Sequence, residues 1–403
     1  MRPMLLLPLV SLFLHAWIGW RLVPDLGAPW SAALLAVLAL SALTAPFGLG
    51  LRRAAGRGRA VQVAGRIGIV VIGLFSSLLV LTLLRDIGLL LLSLVHRVEP
   101  AWPGAGGLRA AEVVSARAVA GVALFVTAWG YLNARRTAAV RRVDVPIAGL
   151  PAGLHGFSIA QLSDMHVGPT IRRPYVERIV AAVNALDADM VAITGDLVDG
   201  SVPELAPHVA PLADLRSREG TFFVTGNHEY YSGAAPWVAE LRRLGLTVLA
   251  NQHVAIGRGE ATLVLAGVND FSAGHFDRAG ASDPARALAG SPPAAVRLLL
   301  AHQPRSAEAA EAAGFDLQLS GHTHGGQFLP WNFLVRLQQP FTAGLKRWRR
   351  MWVYTSRGTG YWGPPKRFGA PSEITLLRLV AARPEVPATG RPMPRAAPAA
   401  SGV

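Results

Sequence analysis

Four long apolar stretches open the chain, and from residue 143 onward the pattern breaks into strand-length apolar runs separated by turn residues. A helix needs roughly 20 residues to cross about 30 Å of hydrocarbon. Met4 to Val23 is broken only by His15 and Arg21, Trp30 to Leu51 is free of charge, and a third stretch begins at Ile67. The third runs on through Arg85 and Asp86 to Val95, and its last part is too short to span alone, so one long or tilted helix is expected. Ala110 to Leu132, with Glu112 and Arg117 near its start, is the fourth. Residues 1–135 are thus predicted to be a membrane domain of about four transmembrane helices. The three later apolar stretches, and the lack of a small-residue cleavage site, argue against a cleaved signal peptide at the start.

Adjacent helix positions do not face one another, so Arg85 and Asp86 are not expected to neutralise each other within their helix. A place at the membrane interface is preferred for them over a polar contact inside the bundle. Orientation follows from the arginines, because short basic loops stay in the cytoplasm. Arg52, Arg53, Arg57, Arg59 and Arg66 lie between the second and third stretches, and Arg135, Arg136, Arg141 and Arg142 follow the fourth. The remainder is therefore expected to be cytoplasmic, on a multi-pass anchor in a bacterial-type inner (cell) membrane.

In that remainder Phe157 to Leu162, Met190 to Thr194, Thr221 to Thr225, Ala261 to Gly267, Val296 to Ala301 and Leu317 to Ser320 read as strands, and Tyr175 to Leu186 as a helix. Strands alternating with helices predict an α/β layered domain over residues 143–381. Residues 382–403, mostly Pro, Ala, Arg and Gly, cannot bury enough apolar surface to order and are predicted to be a disordered tail.

Composition sharpens this division. The chain is 51% hydrophobic and only 16% charged, against about 25% charged in ordinary soluble domains, so the apolar excess belongs to a lipid-facing part. Its net charge of +14 suits a phosphate-bearing partner or an anionic membrane surface, without implying nucleic acid. With no Cys, disulfides, thiolate nucleophiles and cysteine-based metal sites are excluded.

The chemistry-bearing residues follow the predicted strands. Asp164 and His166 come after Leu162, where alternation puts both on one side and lets a carboxylate and an imidazole reach one cation. Asp196 ends the next strand in Thr194-Gly195-Asp196, where an N-cap is its ordinary alternative. The third strand ends in Gly226-Asn227-His228-Glu229, which offers an amide oxygen and an imidazole that titrates near neutrality. His302 follows Leu298 to Ala301, and His322 and His324 lie in Ser320-Gly321-His322-Thr323-His324-Gly325-Gly326. A lone His after an apolar strand is usually a packed or capping residue. Here five of the chain's 11 His fall in motifs that follow a strand, and one shared site explains them more simply than five separate roles.

This ordered series, over roughly residues 150 to 380, resembles the calcineurin-like metallophosphoesterases. Within that family the membrane-anchored branch that includes UDP-2,3-diacylglucosamine pyrophosphatases is similar. The resemblance implies a two-sheet β-sandwich flanked by helices, with a dinuclear metal site at the strand ends. It implies that Asp164, His166, Asp196 and His324 hold one metal, that Asp196, Asn227, His302 and His322 hold the other, and that His228 is the catalytic histidine. Carboxylate, amide and imidazole donors without thiolate suit Mn, Fe or Zn better than Ca. Two such cations about 3.5 to 4 Å apart can lower the pKa of a bridging water and offset the charge of in-line attack.

A basic and aromatic stretch from Lys346 to Arg367 follows the last motif, and in similar membrane-attached proteins such a segment lies near the site, so Arg357 and Arg367 are expected to bind substrate. Asp199 and Glu229 are candidates for orienting the site residues. The expected activity is metal-dependent hydrolysis of a phosphoester or pyrophosphate, on a lipid-linked substrate that shares the bilayer with its enzyme. The alternatives are a phosphodiesterase or phosphatase acting on a soluble nucleotide or phosphoprotein, and a non-catalytic membrane scaffold with a structural metal site. Membrane lipids are the expected partners and nucleic acid is not.

Overall fold

A computed structural model describes residues 3–49 and 58–382. Arg52, Arg53 and Arg57, and residues 383–403 of the predicted tail, lie outside the described residues. Among the described residues four helices come first: α1 (Pro3–Leu26), α2 (Ala28–Leu49), α3 (Arg59–Val98) and α4 (Gly107–Arg135). Among the described residues α2, α3 and α4 are long and apolar enough to cross a membrane. Helix α1 carries Pro8 and Pro24 within it and Arg21 and Asp25 near its end. The third stretch is one helix of 40 residues, unbroken through Arg85 and Asp86.

Helices α2 and α3 cross backbone to backbone. A Cβ on Gly68 would stand 2.1 Å from the Thr44 carbonyl oxygen, so only glycine allows this approach. The interface position expected for Arg85 is corrected by the structure: its side chain is 3% exposed and lies inside the bundle. It donates to Asp25 Oδ2 at 2.5 Å, to the Arg21 and Glu112 carbonyls and to Ser115 Oγ, and lies 3.5 Å from Asp86 Oδ1. Asp86 in turn accepts from Arg21 Nε at 2.9 Å. A charge at this depth is tolerated only when paired, and α1 supplies both partners through a contact that no local pattern reveals.

Among the described residues twelve strands follow: β1 (Ala139–Ile147), β2 (Ser158–Leu162), β3 (Met190–Ile193), β4 (Thr221–Phe223), β5 (Thr247–Val248), β6 (Gln252–Arg258), β7 (Ala261–Gly267), β8 (Val296–Leu300), β9 (Leu317–Ser320), β10 (Gly344–Trp348), β11 (Met351–Thr355) and β12 (Glu373–Ala381). They form two six-stranded sheets, ordered β1-β12-β2-β3-β4-β5 and β10-β11-β9-β8-β7-β6. The predicted strands are all present, and the predicted helix is α5 (Arg173–Asn184).

Alternation along the strands builds the layers. Met190 and Ala192 of β3 point into the core between the sheets, where Leu298 and Leu300 of β8 meet them. Val191 and Ile193 point the other way, onto Val176, Ile179 and Val183 of α5. On the second sheet Leu299 turns outward against Ala307 and Ala310. Strands buried on both faces lose the polar half of the alternation, which is why they read as continuous apolar runs. Because β2, β3 and β4 run parallel side by side, as do β8 and β9, the loops after them leave the same edge of each sheet and can meet.

The two-sheet layers are seated on the helices through the segment 362–368. Lys366, 1% exposed, donates from Nζ to the Gly73 carbonyl at 2.8 Å, to Ser77 Oγ and to Thr127 Oγ1. The next residue's amide, at Arg367, donates to the Gly130 carbonyl at 2.8 Å.

Candidate metal centre

Five of the predicted site residues sit in the left-handed region: Asp164, His166, Asp196, His322 and His324 have φ between 51° and 68°. Non-glycine residues adopt this conformation rarely and at a cost, and a cluster of them marks a backbone held for a site. The alternation expected for Asp164 and His166 is therefore not what aims them, since β2 ends at Leu162 and both side chains leave from the turn beyond it. Gly321 makes the turn possible. A Cβ there would lie 1.9 Å from Ser163 Oγ and 2.2 Å from Asp164 Oδ2.

The seven predicted metal ligands come together, and Asp196 is at their centre. Its Oδ2 lies 3.1 Å from His302 Nε2, 3.8 Å from His228 Nε2 and 3.9 Å from His166 Nε2. On one side His166 Nε2 and His324 Nε2 face each other at 3.0 Å, with Asp164 Oδ1 3.3 Å from the latter. On the other side His302 Nε2 and His322 Nδ1 approach to 3.2 Å. Asn227 opens its short helix beside them, and its Oδ1 is buried with no hydrogen-bond partner in the structure. Asp164, His166 and His324 form one group able to hold an ion, and Asp196, His302 and His322 another; His166, Asp196 and His228 are a third such combination.

Electrostatics divides the rings of the site: against the effect of burial, the Asp196 carboxylate raises His302 well above its ordinary value and Asp199 raises His166. Burial alone would raise the Asp196 carboxyl, yet the His302 and His228 imidazoles beside it hold it well below the ordinary carboxylate range. Burial, with repulsion from His302, pushes His322 down to about 3. Burial and the Arg367 charge keep His324 well below its ordinary value. Both rings are thus neutral at pH 7, which leaves a lone pair on each as ligation requires. Two buried carboxylates, inward-facing imidazole nitrogens and an orphaned amide oxygen are costly together unless cations sit among them. The donor set fits a binuclear metal site.

Around the centre, two acidic residues hold the geometry. Asp199 Oδ1 is 2.5 Å from His228 Nδ1 and its Oδ2 is 3.3 Å from His166 Nδ1. Glu229 is completely buried and accepts from the amides of Gly226 at 2.6 Å, Leu197 at 2.8 Å, Asp196 at 3.0 Å and Val198 at 3.3 Å. It ties the loop after β3 to the loop after β4. Burial and the Asp196 charge push Glu229 up to about 7, while the amide donors favour its ionised form. Glu229→Ala would leave these buried amides without acceptors, at about 1–3 kcal/mol for each unsatisfied group. Denaturant titration is expected to show a loss of about 4 kcal/mol or more, and a change under 1 kcal/mol would refute this bracing role.

The two predicted substrate arginines are not where the sequence suggested. Arg367 is completely buried, and its guanidinium donates to the carbonyls of Gly360, His324, Arg357 and Ala370 and to His324 Nδ1. Arg357 donates from Nη1 to Glu373 Oε2 at 3.1 Å. Neither lines the cavity over the centre. A basic stretch shows charge but not which arginines the chain folds inward, and Arg367 supports His324 from behind instead. Tyr231 was not anticipated. Its ring lies 5.4 Å from that of His228, three residues earlier on the same helix, and that i, i+3 spacing could have revealed it.

The calcineurin-like phosphoesterase profile matches residues 157–326, the segment that carries every one of these ligands. A bovine (Bos taurus) protein named transmembrane protein with metallophosphoesterase domain is 44% identical over 265 residues, 63% of this chain and 60% of that one. An uncharacterized metallophosphoesterase of Helicobacter pylori is 44% identical over 224 residues, 55% of this chain and 59% of that one. The chain thus spans about 60% of the length of these relatives. An uncharacterized metallophosphoesterase of Aquifex aeolicus is 33% identical over 243 residues, which are 60% of this chain and 91% of that protein. With a match that takes in nearly the whole of the Aquifex protein and converges on the same edge of the two sheets, the chain belongs to the calcineurin-like phosphoesterase family.

Proposed function

We propose that the chain is a membrane-anchored, metal-dependent hydrolase of phosphoester or pyrophosphate bonds. The observation that carries this reading is the Asp196 carboxylate, set within 3.1 to 3.9 Å of imidazole nitrogens on three sides. Asp164, His166, Asp196 and His324 would hold one metal, and Asp196, Asn227, His302 and His322 the second, with Asp196 shared. Mn, Fe and Zn suit these donors. When bound, two such ions supply Lewis acidity toward a phosphoryl group and an activated water.

The chain's own residues do the rest. His228 lines the cavity, and Asp199 Oδ1, 2.5 Å from its Nδ1, fixes the orientation of its ring. In that orientation His228 is the residue to donate to a phosphoryl oxygen or to protonate the leaving oxygen. Around it Tyr231 and Trp362, with ring centroids 5.4 and 6.0 Å away, present flat apolar faces that limit the access of water. A lipid-linked phosphoester is the substrate that a catalytic unit seated on membrane helices meets at the highest effective concentration. Arg59 and Arg66 at one end of α3, and Arg135 and Arg136 at the end of α4, favour a cytoplasmic face for the catalytic unit, on a bacterial-type inner membrane.

The test is turnover of bis-p-nitrophenyl phosphate by the full chain in lipid nanodiscs. Activity that is lost on chelation and regained with Mn, Fe or Zn is expected. Turnover indifferent to chelation, or none under any metal, would overturn the reading.

A further inference from the structure

The cavity over the metal centre is not walled by the catalytic domain alone. It measures about 1340 Å³, above the roughly 300–1,000 Å³ of an ordinary small-molecule site. His228, His322 and His324 line one part of it. Ile69, Ile72, Phe75 and Leu79 line another, and these belong to α3, one of the candidate membrane spans. Their spacing of three and four residues places them on a single face of that helix. A soluble headgroup has no use for such a face, whereas a hydrocarbon chain can lie against it and remain out of water.

Two further features place this wall at the lipid. Trp331 Nε1 donates to Ser76 Oγ on α3 at 3.0 Å, so the segment after the last His motif rests on the span itself. The same segment carries Phe333 and Leu337, 68% and 81% exposed, as apolar side chains without protein cover. Aromatic and aliphatic groups exposed beside a spanning helix belong in the headgroup and acyl boundary.

We infer that this cavity binds the hydrocarbon tail of a lipid phosphoester drawn sideways from the bilayer, with the tail along Ile69, Ile72, Phe75 and Leu79 and the phosphate at His228, His322 and His324. The inference rests on the hydrolase reading above and deepens it by saying which residues take the tail and which the phosphate.

Binding can be read without turnover, from the tryptophan fluorescence of the full chain in lipid nanodiscs loaded with Mn²⁺. Methylphosphonate and dodecylphosphonate are the probes, and the readout is the ratio of their dissociation constants. Each methylene removed from water is worth about fourfold, so even partial burial of the longer tail is expected to give a ratio above about 30. Partition into the nanodisc lipid is common to all variants, so a change of ratio between them reports the cavity. Ile72→Trp, which fills it, is expected to lower the ratio about tenfold. Ile69→Ala, a truncation that α3 tolerates as a helix, is expected to lower it several-fold should the larger side chain prevent folding. A ratio near one in the wild type, or one that neither substitution moves, would overturn the inference. Phosphonate binding with the expected ratio but no hydrolysis of bis-p-nitrophenyl phosphate would retain the tail site and sink the hydrolase reading instead.

Discussion

Asp196→Asn is expected to lower the turnover of bis-p-nitrophenyl phosphate by about 10³-fold or more and to release metal, as read by kinetics and by elemental analysis of the same preparation. The substitution keeps the shape and removes the charge. Loss of an outer partner of a metal ligand costs about 10–100-fold in affinity or activity, and Asp196 is nearer the centre than that, since its Oδ2 faces His302, His228 and His166 together. Its backbone is also committed: the amide of Asp196 donates to Glu229, and its Oδ1 accepts from the His228 amide at 2.8 Å. Neither bond needs the negative charge, so Asp196→Asn is expected to fold. A folded variant with wild-type metal content and wild-type turnover would remove Asp196 from the centre of the mechanism.

His228→Ala is expected to separate chemistry from metal binding. General acid–base catalysis by a positioned imidazole is worth about 10²–10⁴-fold, and turnover is expected to fall by that much with metal stoichiometry unchanged. The distinction matters because His228 Nε2, 3.8 Å from Asp196 Oδ2, is also close enough to belong to a ligand group. Its pairing with Asp199 and its place on the cavity lining favour the catalytic role. Loss of metal together with turnover would make His228 a ligand, and retention of both would leave it without a role.

Much of the site was legible in the sequence, because strand ends are local features. Asp164, Asp196, Asn227, His302 and His322 each follow an apolar run, and in parallel strands such ends fall at one edge. The run of apolar residues in α3 likewise showed a helix that continues past Arg85. Other parts were hidden. Strands β1 and β10 carry Arg141, Arg142, Lys346 and Arg347, and those charges mask the alternation that marks a strand. The left-handed backbone at Asp164 and His166 follows from contacts with the loop after β3, whose carbonyls at Gly195 and Asp196 accept from their amides.

The sequence by itself determined which chemical groups the chain offers and at which strand ends, and that its first third is apolar enough for lipid, because period, length and composition are properties of neighbouring residues. Only the tertiary structure decided which of those groups meet. Arg85 finds Asp25 at a separation of 60 residues, Arg367 turns inward behind His324, and the face of α3 comes to wall a cavity whose other side is the histidine cluster. Such contacts depend on how sheets stack and helices cross, and the free energy that selects them is summed over the whole fold rather than written in any one segment.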